Sequence, residues 1–178
     1  MKTTRTGGTL GVIEGGGVAQ DAADILAYIL RADPDQAPRL LRLYANDLPP
    51  VLLRTALSAV WTGCDIPGLY GTRWWLRAFR RAGYTGNRMA PAAPLEVYWG
   101  CPAGVGARGM LWTEDLERAR RVALRNAAFG FGAAVYRAEV GPEHVLARFA
   151  DERGENEVVV DPSGLRGITL LEQAEAGV

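Results

Sequence analysis

The stretch Tyr136 to Pro162, YRAEVGPEHVLARFADERGENEVVVDP, decides how the second half of the chain is read. Val135 to Val140 predicts a strand, Pro142 and Glu143 open a one-turn helix, and Val145 to Phe149 is extended again. A polar turn follows, and Glu157 to Val160 forms a further strand that Asp161-Pro162 stops. Glu155 and Glu157 stand at the mouth of that strand, separated by one residue. Side chains at i and i+2 of an extended chain share a side, so the spacing projects both carboxylates together. Two like charges held this close disfavour joint ionisation and form a negative pocket suited to a cationic or hydroxyl-bearing ligand. With Asp151, Glu152 and Arg153 beside them, the same residues also fit a solvated acidic turn, and both readings stand at this level.

The rhythm around this stretch is one of short β-like runs: Leu95 to Trp99, Met110 to Trp112, Phe131 to Val140 and Gly167 to Leu171. One helix interrupts them. Thr113 suits its N-cap, Glu114, Asp115 and Glu117 place negative charge in its first turn, and Arg118, Arg120, Arg121 and Arg125 follow toward its other end, which complements the helix dipole. Strands with helices set apart argue for an α+β domain. Upstream, Tyr84 to Pro94 contains Gly86, Pro91 and Pro94 with few large apolar side chains and reads as a boundary.

Ahead of that boundary the spacing is helical. Ile25, Leu26, Ile29 and Leu30 form a stripe over Asp21 to Arg31 that Pro34 ends. Pro38 to Asn46 is a second segment, and a third runs from Pro49-Pro50 to Gly63. The first 17 residues hold six glycines without periodicity and predict a flexible leader. The expected organisation is a leader over 1–17, a helical subdomain over 18–90 and a β-rich domain over 91–178.

The fourth helical segment, Thr72 to Ala82, sets Arg73, Arg77, Arg80 and Arg81 on one face and Trp75, Ala78, Phe79 and Ala82 on another. The arginines read either as a solvated face over a tryptophan-anchored helix or as an anion site for a phosphate, an acidic protein partner or a nucleic acid backbone. No acidic residue lies between Asp65 and Glu96, which keeps the second reading open.

Composition narrows the function classes. The 20 basic and 20 acidic residues of this 178-residue chain balance, and the first 90 residues carry 11 of the basic and 7 of the acidic ones. Halves of about +4 and −4 attract one another more readily than they bind a polyanion, so a nucleic-acid binder is not expected. Two cysteines and one histidine provide neither a disulfide framework nor a zinc ligand set. No apolar run reaches the roughly 18 residues a membrane span requires, and the expected setting is cytoplasmic.

In order, LEVYWG, GMLWTEDLERARRVALR, AAVYRAEVGPEHVLARF and RGENEVVVDP resemble the NAD-dependent ADP-ribosyltransferases of the arginine, serine, glutamate class over roughly residues 94–172. The resemblance implies a split β-sandwich around an NAD cleft, with Glu157 as the catalytic glutamate and Glu155 as the upstream acid that orients an acceptor, arginine by family likeness. It implies an NAD-binding surface formed by Tyr98, Trp99, Gly100, Trp112 and Thr113, with NAD as substrate and no metal. This chain departs from the pattern at two places: Trp99 stands where the family has the arginine that grips NAD, and Leu111 stands where a serine is usual. Each loss implies on the order of 1–3 kcal/mol of weakened binding or transition-state stabilisation. Three readings follow: Arg108 takes over from the missing arginine, Trp99 stacks on a ring of NAD, or the fold persists as a non-catalytic module acting through an acidic partner at Arg73, Arg77, Arg80 and Arg81.

Overall fold

The computed structural model describes residues 18–64, 71–104, 107–127, 132–150 and 156–174. The glycine-rich first 17 residues and Glu155 lie outside them. Among the described residues the fold is α+β, with five α-helices and a seven-stranded mixed sheet.

The helices of the first half follow their apolar stripes. They are α1 (Val18–Arg31), α2 (Ala37–Tyr44), α3 (Pro50–Gly63) and α4 (Thr72–Ala82), and a 3₁₀ turn, Ala45–Asp47, ends α2 earlier than its periodicity suggests. Proline in the first turn starts α2 and α3, where its missing N–H leaves no hydrogen bond unmade. Ile29, Leu41, Leu53, Leu57 and Phe79 are fully buried between the helices. Trp61 meets Trp75 edge to face with ring centroids 5.1 Å apart, and Phe79 in the same manner at 5.2 Å. This core does not stop at the helices: Met110, Ala147, Phe149 and Val159 of the β-rich half belong to it.

The sheet comprises β1 (Thr85–Gly86), β2 (Leu95–Pro102), β3 (Leu111–Thr113), β4 (Ala133–Val140), β5 (Val145–Ala150), β6 (Asn156–Val160) and β7 (Leu165–Ala174), and α5 (Leu116–Ala127) follows β3. The strand order is β1-β5-β6-β3-β2-β4-β7, antiparallel except where β1 joins β5. The segment read as a boundary therefore contributes a strand, one too short for periodicity to reveal. The cap of α5 is Asp115, whose Oδ1 accepts from the N–H groups of Glu117 and Arg118 at 2.8 and 3.1 Å. This corrects the assignment to Thr113, which is the end of β3.

Two short connectors curl the sheet. Gly141 to His144 links β4 to β5, and Asp161 to Gly164 links β6 to β7; each pair of strands is four places apart in the sheet. Four strand spacings of a flat sheet amount to roughly 19 Å. Five steps of chain span at most roughly 17 Å when fully stretched, and each connector spends three of its residues on a compact 3₁₀ turn. The sheet must roll for either to reach. The rolled-in face packs Val97, Trp112, Val140, Val145, Val158 and Val160 into one cluster drawn from strands on both sides. The connectors also join each other: the Asp161 N–H donates to the His144 carbonyl at 2.8 Å, and a Cβ on Gly164 would lie 2.0 Å from His144 Cγ.

Arg80 of α4 ties the helices to this junction by donating to the Asp161 carboxylate, which also accepts from the N–H and hydroxyl of Ser163. Arg81 donates to the carbonyls of Ala45, Asn46 and Leu48 at the end of the 3₁₀ turn. Two of the four arginines on the α4 face are thus engaged within the chain, while Arg73 and Arg77 are exposed. Long Arg stems reach carbonyls left open at a neighbouring helix end, and helical spacing alone does not register such contacts.

Burial alone would raise the Asp161 carboxyl, but the hydrogen bonds from Arg80 and Ser163 outweigh it and hold it below the usual carboxylate range. A carboxyl with a lowered folded pKa stabilises above its unfolded value and loses that contribution as pH falls through the folded value. Asp161→Asn is expected to lower stability at pH 7 by about 1–2 kcal/mol, a modest figure because Arg80 is half exposed. Urea denaturation of both proteins should show the gap closing below about pH 4; a gap of constant size from pH 7 to 3 would remove the carboxylate from this role.

Candidate active site

The face of the sheet that is not rolled inward carries helices in two places. The α1–α4 layer covers Ala147, Phe149 and Val159, while α5 lies over β2 and β4, with Ala119 and Ala123 against Val135. Between α3 and α5 a crevice of about 760 Å³ remains open, floored by the middle strands.

Glu157 lies on that floor. Register brings Thr113 of β3 opposite it on one side and Phe149 of β5 on the other. Trp61, buried in α3, donates its indole N–H to Glu157 Oε1, and Arg118 of α5 brings Nη2 to 4.0 Å from Oε2. The Glu157 side chain is 19% exposed and that of Arg118 20%, so both groups are shielded without being sealed from the crevice. The Thr113 hydroxyl is engaged with backbone: it donates to the Asn156 carbonyl at 2.6 Å and accepts from the Asp115 N–H at 3.1 Å. It therefore locks β6 to the turn that starts α5. Two further devices fix the rim. Arg148 forks onto Glu114 at 2.8 and 2.9 Å, and the Asn87 side chain exchanges hydrogen bonds with both backbone groups of Ala150.

Of the residues singled out in the sequence, Tyr98, Trp99, Gly100, Trp112, Thr113 and Glu157 all border this crevice. They do so unequally. Tyr98 is half buried on the α5 side and its hydroxyl donates to Glu96; that hydrogen bond, with burial, holds the phenol above its usual range, so it stays protonated near neutrality. Trp99 and Trp112 belong to the opposite face. Their rings lie 5.9 Å apart, Tyr136 lies 6.3 Å from Trp99, and Trp112 is 2% exposed. Both residues therefore border the crevice as expected while their rings stack away from it: the strand alternation that points Tyr98 and Thr113 outward turns the indoles of Trp99 and Trp112 into the rolled core. Gly100 is buried, and a Cβ on it would lie 1.9 Å from the Ala119 carbonyl oxygen, so glycine is there to let α5 approach. Arg108 is exposed and does not line the crevice, which corrects its assignment as the substitute arginine.

Several lining residues escaped the sequence reading, Arg118, Arg125 and Trp61 among them. In the sequence Arg118 and Arg125 read as complements to the helix dipole, although their i, i+7 spacing separates them from Arg120 and Arg121, which pair with Glu172 and Asp115. Trp61 had no local signal, since it reaches Glu157 across 96 positions of sequence. Cys101 is buried and desolvation pushes its thiol up to about 11, so it is no nucleophile at neutral pH. Among the described residues no group of three His, Cys, Asp or Glu side chains converges as metal ligands, and no helix is long and apolar enough to cross a membrane.

No family model, no curated protein and no solved structure matches this chain.

The Gly100 contact gives a direct test of how the α5 wall is positioned. Gly100→Ala forces backbone against backbone and is expected to destabilise the protein by about 2–4 kcal/mol. Thermal melting should show the loss, and an unchanged melting temperature would mean that α5 sits farther from β2.

Proposed function

We propose that the protein is a mono-ADP-ribosyltransferase that cleaves NAD in the crevice between α3 and α5 and transfers ADP-ribose to a protein or other acceptor. The observation that carries this reading is the Glu157 carboxylate on the crevice floor, braced by the Trp61 N–H and set beside Arg118. Breaking the nicotinamide–ribose bond develops an oxocarbenium ion, and a carboxylate hydrogen-bonded to the ribose 2′-hydroxyl stabilises positive charge where it forms. Trp61 holds one carboxylate oxygen and so orients the other, which limits the reorganisation needed as that charge appears. Tyr98 takes the place given to Trp99 in the sequence reading as the aromatic surface for a planar ring. The curled sheet, with strands on both sides of one core, supports a split β-sandwich of the kind the resemblance implies.

Glu155 would align the acceptor, with arginine as the favoured target, and Arg73 and Arg77 are the exposed pair that an acidic acceptor would meet. Two free cysteines suit a reducing, cytoplasmic setting. A second reading, a module that binds nucleotide or partner without turnover, draws on one observation: β2 presents no arginine to the crevice and turns Trp99 into the core.

Glu157→Gln separates the two, because it preserves size and an acceptor for Trp61 while removing charge. We expect NAD consumption or labelled ADP-ribose transfer to fall by about 10²–10³-fold, with little change in melting temperature. Equal activity in the variant would overturn the transferase reading, and no activity in either protein would favour the binding module.

A further inference from the structure

We infer that Arg118 and Arg125 of α5 form the clamp for the pyrophosphate of the nucleotide, a role carried by a helix rather than by strand β2. The inference rests on the reading of the crevice as a nucleotide site and deepens it. Arg118 and Arg125 both line the crevice, two turns apart on the same face of α5, with Val122 between them. Seven residues of helix advance about 10.5 Å, so two long side chains can close from either end on a group seated over Val122. Among the described lining residues the charges on the α5 wall are both cationic, Arg118 and Arg125, and the one carboxylate, Glu157, lies on the floor at the Arg118 end, so the α5 wall favours an anionic group over a neutral or cationic one. The guanidinium fork matches phosphate oxygens in pairs, which a lone ammonium does not.

Position fixes the order of the ligand. Arg118 sits beside Glu157, where the scissile ribose belongs, and Arg125 lies two turns on toward the end of α5. The diphosphate therefore runs along α5 away from Glu157, and the adenosine end lies beyond Arg125. The neighbouring Arg120 and Arg121 point elsewhere, to Glu117, Glu172 and Asp115, and supply an internal control on the same helix.

The experiment is calorimetric titration of NAD, ADP-ribose and nicotinamide riboside into the wild-type protein, Arg118→Gln, Arg125→Gln and Arg121→Gln. Nicotinamide riboside carries the scissile bond and lacks the pyrophosphate. Arg125→Gln and Arg118→Gln are each expected to weaken NAD and ADP-ribose by about ten- to a hundred-fold while leaving nicotinamide riboside within a few fold. Arg121→Gln, an exposed ion pair, should stay near wild type for all three. The clamp is overturned if Arg125→Gln binds ADP-ribose as the wild type does, if the wild type does not bind ADP-ribose up to millimolar concentration, or if the variants lose nicotinamide riboside to the same extent, which would make the arginines mere supports for Glu157. ADP-ribose binding that depends on Arg125 in a protein that does not turn over NAD would leave the clamp standing and remove the transferase reading.

Discussion

The curvature of the sheet rests on two connectors of four residues, each asked to join strands four places apart. Because a flat sheet would put those ends out of reach, one face must turn in on itself and become core. The other face is then left to helices, and two separate helical layers share it. The crevice is the gap between those layers. Asp161 joins the arrangement from the sheet side, since its carboxylate holds Ser163 of one connector and Arg80 of α4, while its N–H holds His144 of the other connector.

A carboxylate placed in such a gap needs compensation, because a buried charge without hydrogen bonds or an opposite charge is costly. Glu157 receives an N–H from α3 and a guanidinium from α5, so each wall supplies one partner. The helices of the first half are therefore part of the site and not an appendage to it. The same geometry explains why residues adjacent in sequence have unlike fates: Tyr98, Gly100 and Thr113 face the helices, whereas Trp99 and Trp112 stack within the roll.

Much of the secondary structure was legible in the sequence. The bounds of α3 agree with its proline start and glycine stop, those of α4 with the helical spacing from Thr72 to Ala82, and the β4-turn-β5-β6 series was visible in the alternation and prolines from Val135 to Pro162. The misses have physical causes. β1 is two residues long and exists only because β5 offers it a partner. Asp115 outcompetes Thr113 as the cap because Thr113 is already committed to the ladder with β6. Arg80 and Arg81 look alike on a helical wheel, and only the fold reveals that carbonyls and a carboxylate lie within their reach.

The sequence by itself determined the α+β class, the helical first half and the candidacy of Glu157, because periodicity, capping residues and turn formers act over a few neighbours and are written locally. Which face each strand side chain presents, which arginines meet Glu157 and which bind their own backbone, and the contact from Trp61 were decided only by the tertiary structure. Those outcomes depend on how the sheet rolls and where two helical layers come to rest, and residues as much as 96 positions apart must meet before any of them exists.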